Sequence, residues 1–279
     1  MQALPLILSA LVAFAIAPSA LHWLAEGPLR RANYRGKVIA CPLGVVIVAA
    51  AVLSLGPLAL VAKLTDTTVL RPELQWVALF VLGVAVLGLI DDALAGGARG
   101  LRGHARALAG GQFSTGALKA VGTTGLALYV MELRGADTGR LLLGAGVLVL
   151  STHTLNLVDL RPGRAVKLLL LLGASLTVGT SDLRPLWALG PFTGPALVVG
   201  LYDLRERGLL GDTGSGVLGA LAGAWLVLSV GVTGQIVALV VLAAITLYGE
   251  RSSLSDAIER TPLLRELDSL GRAFDATGE

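Results

Sequence analysis

Apolar stretches of near-spanning length recur from end to end of this chain, separated by short loops that hold most of its charge. Few folds accommodate that pattern. Hydrophobic residues make up 54% of the 279 positions and the mean hydropathy is +0.78, above the range of an ordinary soluble domain. A transmembrane β-barrel needs alternation with period two, and the unbroken leucines at 168–172 do not alternate. The fold predicted is all-α: a polytopic membrane protein of about nine transmembrane helices. The spans fall near 4–24, 38–61, 74–90, 117–133, 141–157, 166–178, 186–201, 214–230 and 235–247. The sixth, at about 13 residues, is short of the usual ~20, so it is expected to be tilted, broken or extended at both ends. The first has no basic region before it and reads as a span rather than a cleaved signal.

Loop charge orients these spans. One set of loops holds Arg30, Arg31, Arg35 and Lys37; Arg99, Arg102 and Arg106; Arg161, Arg164 and Lys167; and Arg205 and Arg207. The other set is nearly balanced, with Lys63 and Arg71 against Asp66 and Glu73, Arg134 and Arg140 against Glu132 and Asp137, and Arg184 against Asp182. The positive-inside rule puts the first set in the cytoplasm, with the N-terminus outside and the C-terminus cytoplasmic. The chain is therefore expected to be a multi-pass protein of the cytoplasmic membrane. A net charge of +3, carried in such loops, does not suggest nucleic acid as a partner. Cys41 is the only cysteine, which excludes an internal disulfide and a cysteine-rich metal site. Residues 1–249 form the transmembrane unit and residues 250–279 a cytoplasmic tail. In that tail Ser253-Leu254-Ser255-Asp256 has the form of a helix start, and Leu263, Leu267, Leu270 and Phe274 recur at helical spacing. Such a helix packs on the protein's own loops or lies on the membrane surface. The glycine-rich stretch 96–111, with His104 among its arginines, reads as a solvated connector with the flexibility of a lid.

Three acidic motifs lie at the cytoplasmic ends of spans: Asp91-Asp92, Asn156-Leu157-Val158-Asp159, and Gly211-Asp212-Thr213-Gly214-Ser215. A carboxylate costs roughly 2.5–3.5 kcal/mol at the centre of a membrane helix, so such residues are kept mainly for a task. Asp91 and Asp92 sit at the negative end of a helix dipole, where a cation would compensate them and an oxygen-rich site suits Mg²⁺. The plain alternative is a pair of interfacial acids. Asp212 opens a span and can cap it through its side chain, and a helix N-terminus also attracts phosphate. Asn156 and Asp159, three residues apart, can face one cavity. Arg161, Arg164 and Lys167 follow at three-residue spacing, as a phosphate clamp or as a positive-inside anchor. Lys119 could neutralise a phosphate or snorkel, and His153 reads as a hydrogen-bonded helix partner.

Together these segments resemble the polyprenyl-phosphate N-acetylhexosamine-1-phosphate transferase superfamily. Its members include phospho-N-acetylmuramoyl-pentapeptide translocase and the transferases that begin O-antigen and teichoic acid synthesis. The resemblance rests on Gly88-Leu89-Ile90-Asp91-Asp92, on Asn156-Leu157-Val158-Asp159, on the run from Gly211 to Gly219, and on Pro42-Leu43-Gly44 as a degenerate early motif. It implies that Asp212 ligates Mg²⁺ (or Mn²⁺) with Asp92 or Asp91, and that Asp91, Asp92 and Asp159 are catalytic. It further implies that Asn156 and Asp159 position a nucleotide-activated donor, a UDP-sugar first, with Lys119 near a phosphate. A polyprenyl phosphate would accept the sugar-1-phosphate, with a homodimer compatible with this reading.

The departures are specific. The superfamily's Asn-x-x-Asp-Gly-x-Asp-Gly pattern has a second aspartate, whereas this chain reads Asp159-Leu160-Arg161-Pro162-Gly163-Arg164. No histidine follows His153, so the superfamily's late His-rich loop has no counterpart. Two readings stay open: an enzyme that grips a different donor through Arg161, Arg164 and Lys167, or a catalytically inactive descendant that binds lipid phosphate or scaffolds envelope assembly. A secondary transporter would place its charges at midplane in a repeated half-structure, which this chain does not show.

Overall fold

The computed structural model describes residues 1–94 and 114–272. The glycine-rich stretch 96–111 and Phe274 of the tail lie outside the described residues. The described chain is helical apart from one short hairpin: α1 Leu4–Glu26, β1 Arg31–Ala32, β2 Val38–Ile39, α2 Gly44–Thr65, α3 Leu74–Leu94, α4 Thr115–Leu133, α5 Thr138–Val158, α6 Arg164–Thr180, α7 Arg184–Leu204, α8 Gly211–Ser229, α9 Val232–Arg251, α10 Leu254–Arg260 and α11 Pro262–Ser269. The all-α expectation holds. Among the described residues α1, α2, α3, α5 and α9 are long and apolar enough to cross a membrane, which makes this a membrane protein in kind.

Local chemistry sets the helix limits. Asp137 caps α5 by accepting from the Arg140 N–H at 3.1 Å, and Ser114 caps α4 by accepting from Ala117 at 3.3 Å. The predicted start at Ser253 is present: its hydroxyl accepts from the Asp256 N–H at 3.1 Å. The short sixth segment expected, 166–178, is 17 residues long in the structure and gains residues at both ends. Gly163, in the left-handed region at φ 74°, turns the chain sharply enough for α6 to start at Arg164. The hairpin was not anticipated from sequence. The Asn33 side-chain oxygen accepts from the Arg35 and Lys37 N–H groups, both at 3.0 Å, and so closes the turn that pairs β1 with β2.

The helix α8 lies at the centre, in contact with α2, α3, α5, α6 and α7. It is buried continuously from Thr213 to Val227. Small residues make that possible, since in lipid the close approach of backbones replaces the hydrophobic drive between helices. A Cβ on Gly88 of α3 would lie 2.6 Å from the Asp212 carbonyl and 2.7 Å from Thr213 Cα, so the two helices meet backbone to backbone there. Gly44 at the start of α2 meets Gly214 in the same way. The glycine-rich composition of α8 serves this packing.

Gly88→Ala is accordingly expected to cost about 1–3 kcal/mol, because α3 must move off α8. Gly56→Ala in α2, whose Cβ would meet nothing within 4 Å, is expected to be neutral or to gain up to about 1 kcal/mol. Thermal unfolding of the two variants in detergent distinguishes them, and equal melting temperatures would contradict the packing described.

Candidate functional site

All three acidic motifs meet at the N-terminal end of α8. The expected side-chain cap by Asp212 is not what the structure shows. Leu210 is the N-cap residue without a side-chain bond, and Asp212 lies in the first turn. The cap comes instead from another helix. Asp92, near the end of α3, accepts from the Asp212 N–H at 3.0 Å, the Thr213 N–H at 2.8 Å and the Thr213 hydroxyl at 2.7 Å. The residue is only 4% exposed. A carboxylate is favoured at the positive end of a helix dipole and satisfies two N–H groups that the helix itself cannot. Arg31 of β1 closes the arrangement, donating to the Asp92 carbonyl at 2.8 Å and lying 3.6 Å from its carboxylate.

Asp91 points elsewhere. It and Asp212 share one cation, the Lys119 ammonium of α4, which lies 3.5 Å from Asp91 Oδ2 and bonds closely to Asp212 Oδ1. Asn156 joins from α5: its Oδ1 lies 3.0 Å from the Ser215 hydroxyl, which is also 3.0 Å from the Gly211 carbonyl. The residues Asp91, Asp92, Lys119, Asn156 and Asp212, picked from sequence, thus form one polar assembly contributed by α3, α4, α5 and α8.

Asp92 or Asp91 was expected to join Asp212 as a metal ligand, and both Asp92 oxygens are committed to the first turn of α8. Asp91 and Asp212 are the carboxylates already converging on a cation. Among the described residues no three His, Cys, Asp or Glu side chains are grouped to hold a metal ion. Mg²⁺ is commonly held by one or two carboxylates with waters and substrate phosphates, so Asp91 and Asp212 fit it when Lys119 moves aside.

Asp159 follows α5, facing a small cavity of about 50 Å³ that Tyr34, Arg161, Pro162 and Asp203 also line. Burial holds its carboxyl well above the usual carboxylate range, and Asp203, Asp212 and Asp92 reinforce the effect. Burial also pushes the Cys41 thiol up to about 12, with Asp92 adding to it, so this cysteine stays a neutral thiol. Asp203, not singled out from sequence, is 2% exposed and accepts from the Gly163 N–H at 2.7 Å, fixing the turn into α6. The rule that picked out Asp91, an acid where an apolar run ends, applies to it equally.

The expected clamp residues have protein partners. Arg161 bonds Glu259 at 2.7 Å and stacks over the Tyr34 ring, 4.8 Å from its centroid. Arg164 grips Asp268 of the tail with two bonds of 2.9 Å, and Lys167 donates to carbonyls at the end of α11. The tail helices therefore pack on the α5–α6 loop. His153 Nε2 lies 3.6 Å from Glu250 of α9, an ion-pair separation without the hydrogen bond expected of a helix partner. No protein-family model and no curated protein sequence matches the chain.

Two stability predictions follow from this geometry. Removing the cap with Asp92→Ala orphans the three donors it accepts from and is expected to cost at least about 2 kcal/mol, with Asp92→Asn costing less because an acceptor remains. An unchanged melting temperature for Asp92→Ala would contradict the capping role. Asp159 has the opposite sign. Its folded-state pKa is raised, so the folded protein holds a proton that the unfolded chain has lost, and stability falls as pH rises from about 4. Asp159→Asn should therefore raise the melting temperature at pH 7 and flatten that decline; a lower melting temperature at pH 7 would contradict it.

Proposed function

We propose that this protein transfers a sugar-1-phosphate, or a related phosphoryl-linked head group, from a nucleotide-activated donor to a polyprenyl phosphate at the cytoplasmic membrane face. Nine helices cross the membrane in this reading, with the N-terminus outside and the C-terminus cytoplasmic. The observation that carries it is the pair Asp91 and Asp212 sharing one cation at the N-terminus of a buried helix. That combination suits a diphosphate: a helix N-terminus and a lysine attract it, and two carboxylates recruit the ion that accompanies it.

In the reaction, an oxygen of the lipid phosphate attacks the sugar-linked phosphorus of the donor. The bond from that phosphorus to the bridging oxygen breaks, and a nucleoside monophosphate leaves with the electron pair. Mg²⁺, when bound by Asp91 and Asp212, supplies neutralisation of the diphosphate charge. Lys119 leaves its carboxylates to hold a phosphate oxygen once substrate and ion arrive. Asp92 and Arg31 are positioning residues that fix the first turn of α8. Asn156, through Ser215, orients the donor, and Asp159 lies beyond it in the same loop region.

A second reading has its own support. Arg161, Arg164 and Lys167 are engaged by the tail, as they would be in a lipid-phosphate-binding or scaffold protein without turnover. Purified protein incubated with polyprenyl phosphate, Mg²⁺ and a panel of UDP- and CDP-linked donors separates the two. The transferase reading expects nucleoside monophosphate from at least one donor, and a loss of about 10²-fold or more in Asp212→Asn and Lys119→Met. Absence of product with every donor, or full turnover in Asp212→Asn, would sink it. Polyprenyl phosphate retained by the protein without turnover would favour the second reading.

A further inference from the structure

The tail is attached to the bundle by charge. Neither α10 nor α11 has a buried residue, and Leu263, Leu264 and Leu270 are exposed. What holds the segment is a set of polar contacts to the start of α6. Arg164 Nε and Nη2 each donate to one oxygen of Asp268 at 2.9 Å, and Arg272 donates to the same carboxylate at 2.6 Å. Arg164 Nη1 donates to the Ser255 hydroxyl at 3.0 Å, and Arg272 Nε to the Pro162 carbonyl at 3.3 Å. Lys167 donates to the carbonyls of Leu267, Asp268 and Leu270 at 3.1, 2.5 and 3.0 Å.

That arrangement is an anion site with an anion in it. The Arg164 side chain is 6% exposed and meets the carboxylate fork to fork, a geometry that serves phosphate equally well. Arg164 and Arg272 pair with this one carboxylate while Lys167 sits on the neighbouring backbone carbonyls, so the site favours a ligand of greater negative charge than Asp268 brings. Asp268 remains ionised there: burial opposes its charge, but the bonds and charges of Arg164 and Arg272 outweigh burial and lower its pKa.

We propose that residues 254–272 form a strap whose Asp268 occupies, in cis, a phosphate-binding site made by Arg164 and Lys167, and that a phosphate-bearing ligand displaces it. The proposal rests on the transferase reading, with Arg164 and Lys167 available to the phosphates of a donor once the tail has moved. With no apolar anchor in the core, a strap held by ion pairs is released when its carboxylate is outcompeted. The site is then closed to weak anions and opens to a phosphate-bearing ligand, which couples substrate arrival to movement of the tail.

The test uses the full-length protein in lipid nanodiscs, without turnover. Trypsin cleavage after the exposed Arg260 and Arg265 reports release of the strap, and calorimetry with inorganic pyrophosphate reports the site. Pyrophosphate is expected to accelerate cleavage of the wild type. Asp268→Asn should bind pyrophosphate about tenfold more tightly, because the competing occupant is gone. Arg164→Gln should be cleaved rapidly whether or not pyrophosphate is present. A second arm supplies polyprenyl phosphate in the nanodisc instead. Acceleration by pyrophosphate alone assigns the site to a soluble diphosphate, and acceleration by the lipid alone assigns it to a lipid head group. If neither ligand accelerates cleavage, or if Asp268→Asn binds pyrophosphate no better than the wild type, the strap is a structural clasp and the proposal is wrong. A transferase without product can still show a displaceable strap, and an active one can show a fixed strap, so the two ideas fail separately.

Discussion

The Asp92 carboxylate on the N-terminus of α8 is the contact on which the rest of the site depends. A buried helix end leaves N–H groups that neither water nor lipid can satisfy, and here an acid from α3 satisfies two of them. That contact sets the height of α8 against α3, where Gly88 lets the two backbones touch. With α8 fixed, Asp212 in its first turn projects toward Lys119, and Ser215 one turn later toward Asn156. The hairpin and the loop before α8 brace the same point: Leu43 donates to the Leu209 carbonyl at 2.8 Å, and Glu206 takes bonds from Asn33 and Tyr34. One end of the bundle is therefore organised by hydrogen bonds, the remainder by close packing of small and aliphatic residues.

The two adjacent aspartates divide their work. Asp92 is structural in the strict sense that its oxygens are used up by the protein, whereas Asp91 and Asp212 share a lysine among the described residues. A lysine on a flexible stem is a replaceable partner, since it can swing away as an incoming cation takes its place. The Arg161–Lys167 segment follows similar logic farther out, with an acid of the tail standing where an external anion would fit.

Much of this was legible in sequence because it is governed by local rules. Apolar run length located the helices, and acids at the ends of apolar runs located Asp91, Asp92, Asp159 and Asp212. Asn156 and Lys119 followed from their placement beside those ends. The choice among partners was not legible. Spacing shows that Asp92 and Asp212 lie at one face, yet not that one caps the backbone of the other, because the contact joins residues far apart in the chain and depends on the depth of α8. The cations of the α5–α6 loop announced an anion without saying whether it would be phosphate or Asp268. Asp203 was missed although the same end-of-run rule covers it, and the Asn33 turn carries too few residues for a periodic signal.

The central claim is that Asp91 and Asp212 converge on a single cation at the start of α8. Electron paramagnetic resonance of Mn²⁺ added to the purified full-length protein tests it directly. The account predicts one bound Mn²⁺ per chain, lost in Asp91→Asn and in Asp212→Asn and strengthened in Lys119→Met, where the competing ammonium is gone. Mn²⁺ binding that is indifferent to all three substitutions would contradict it.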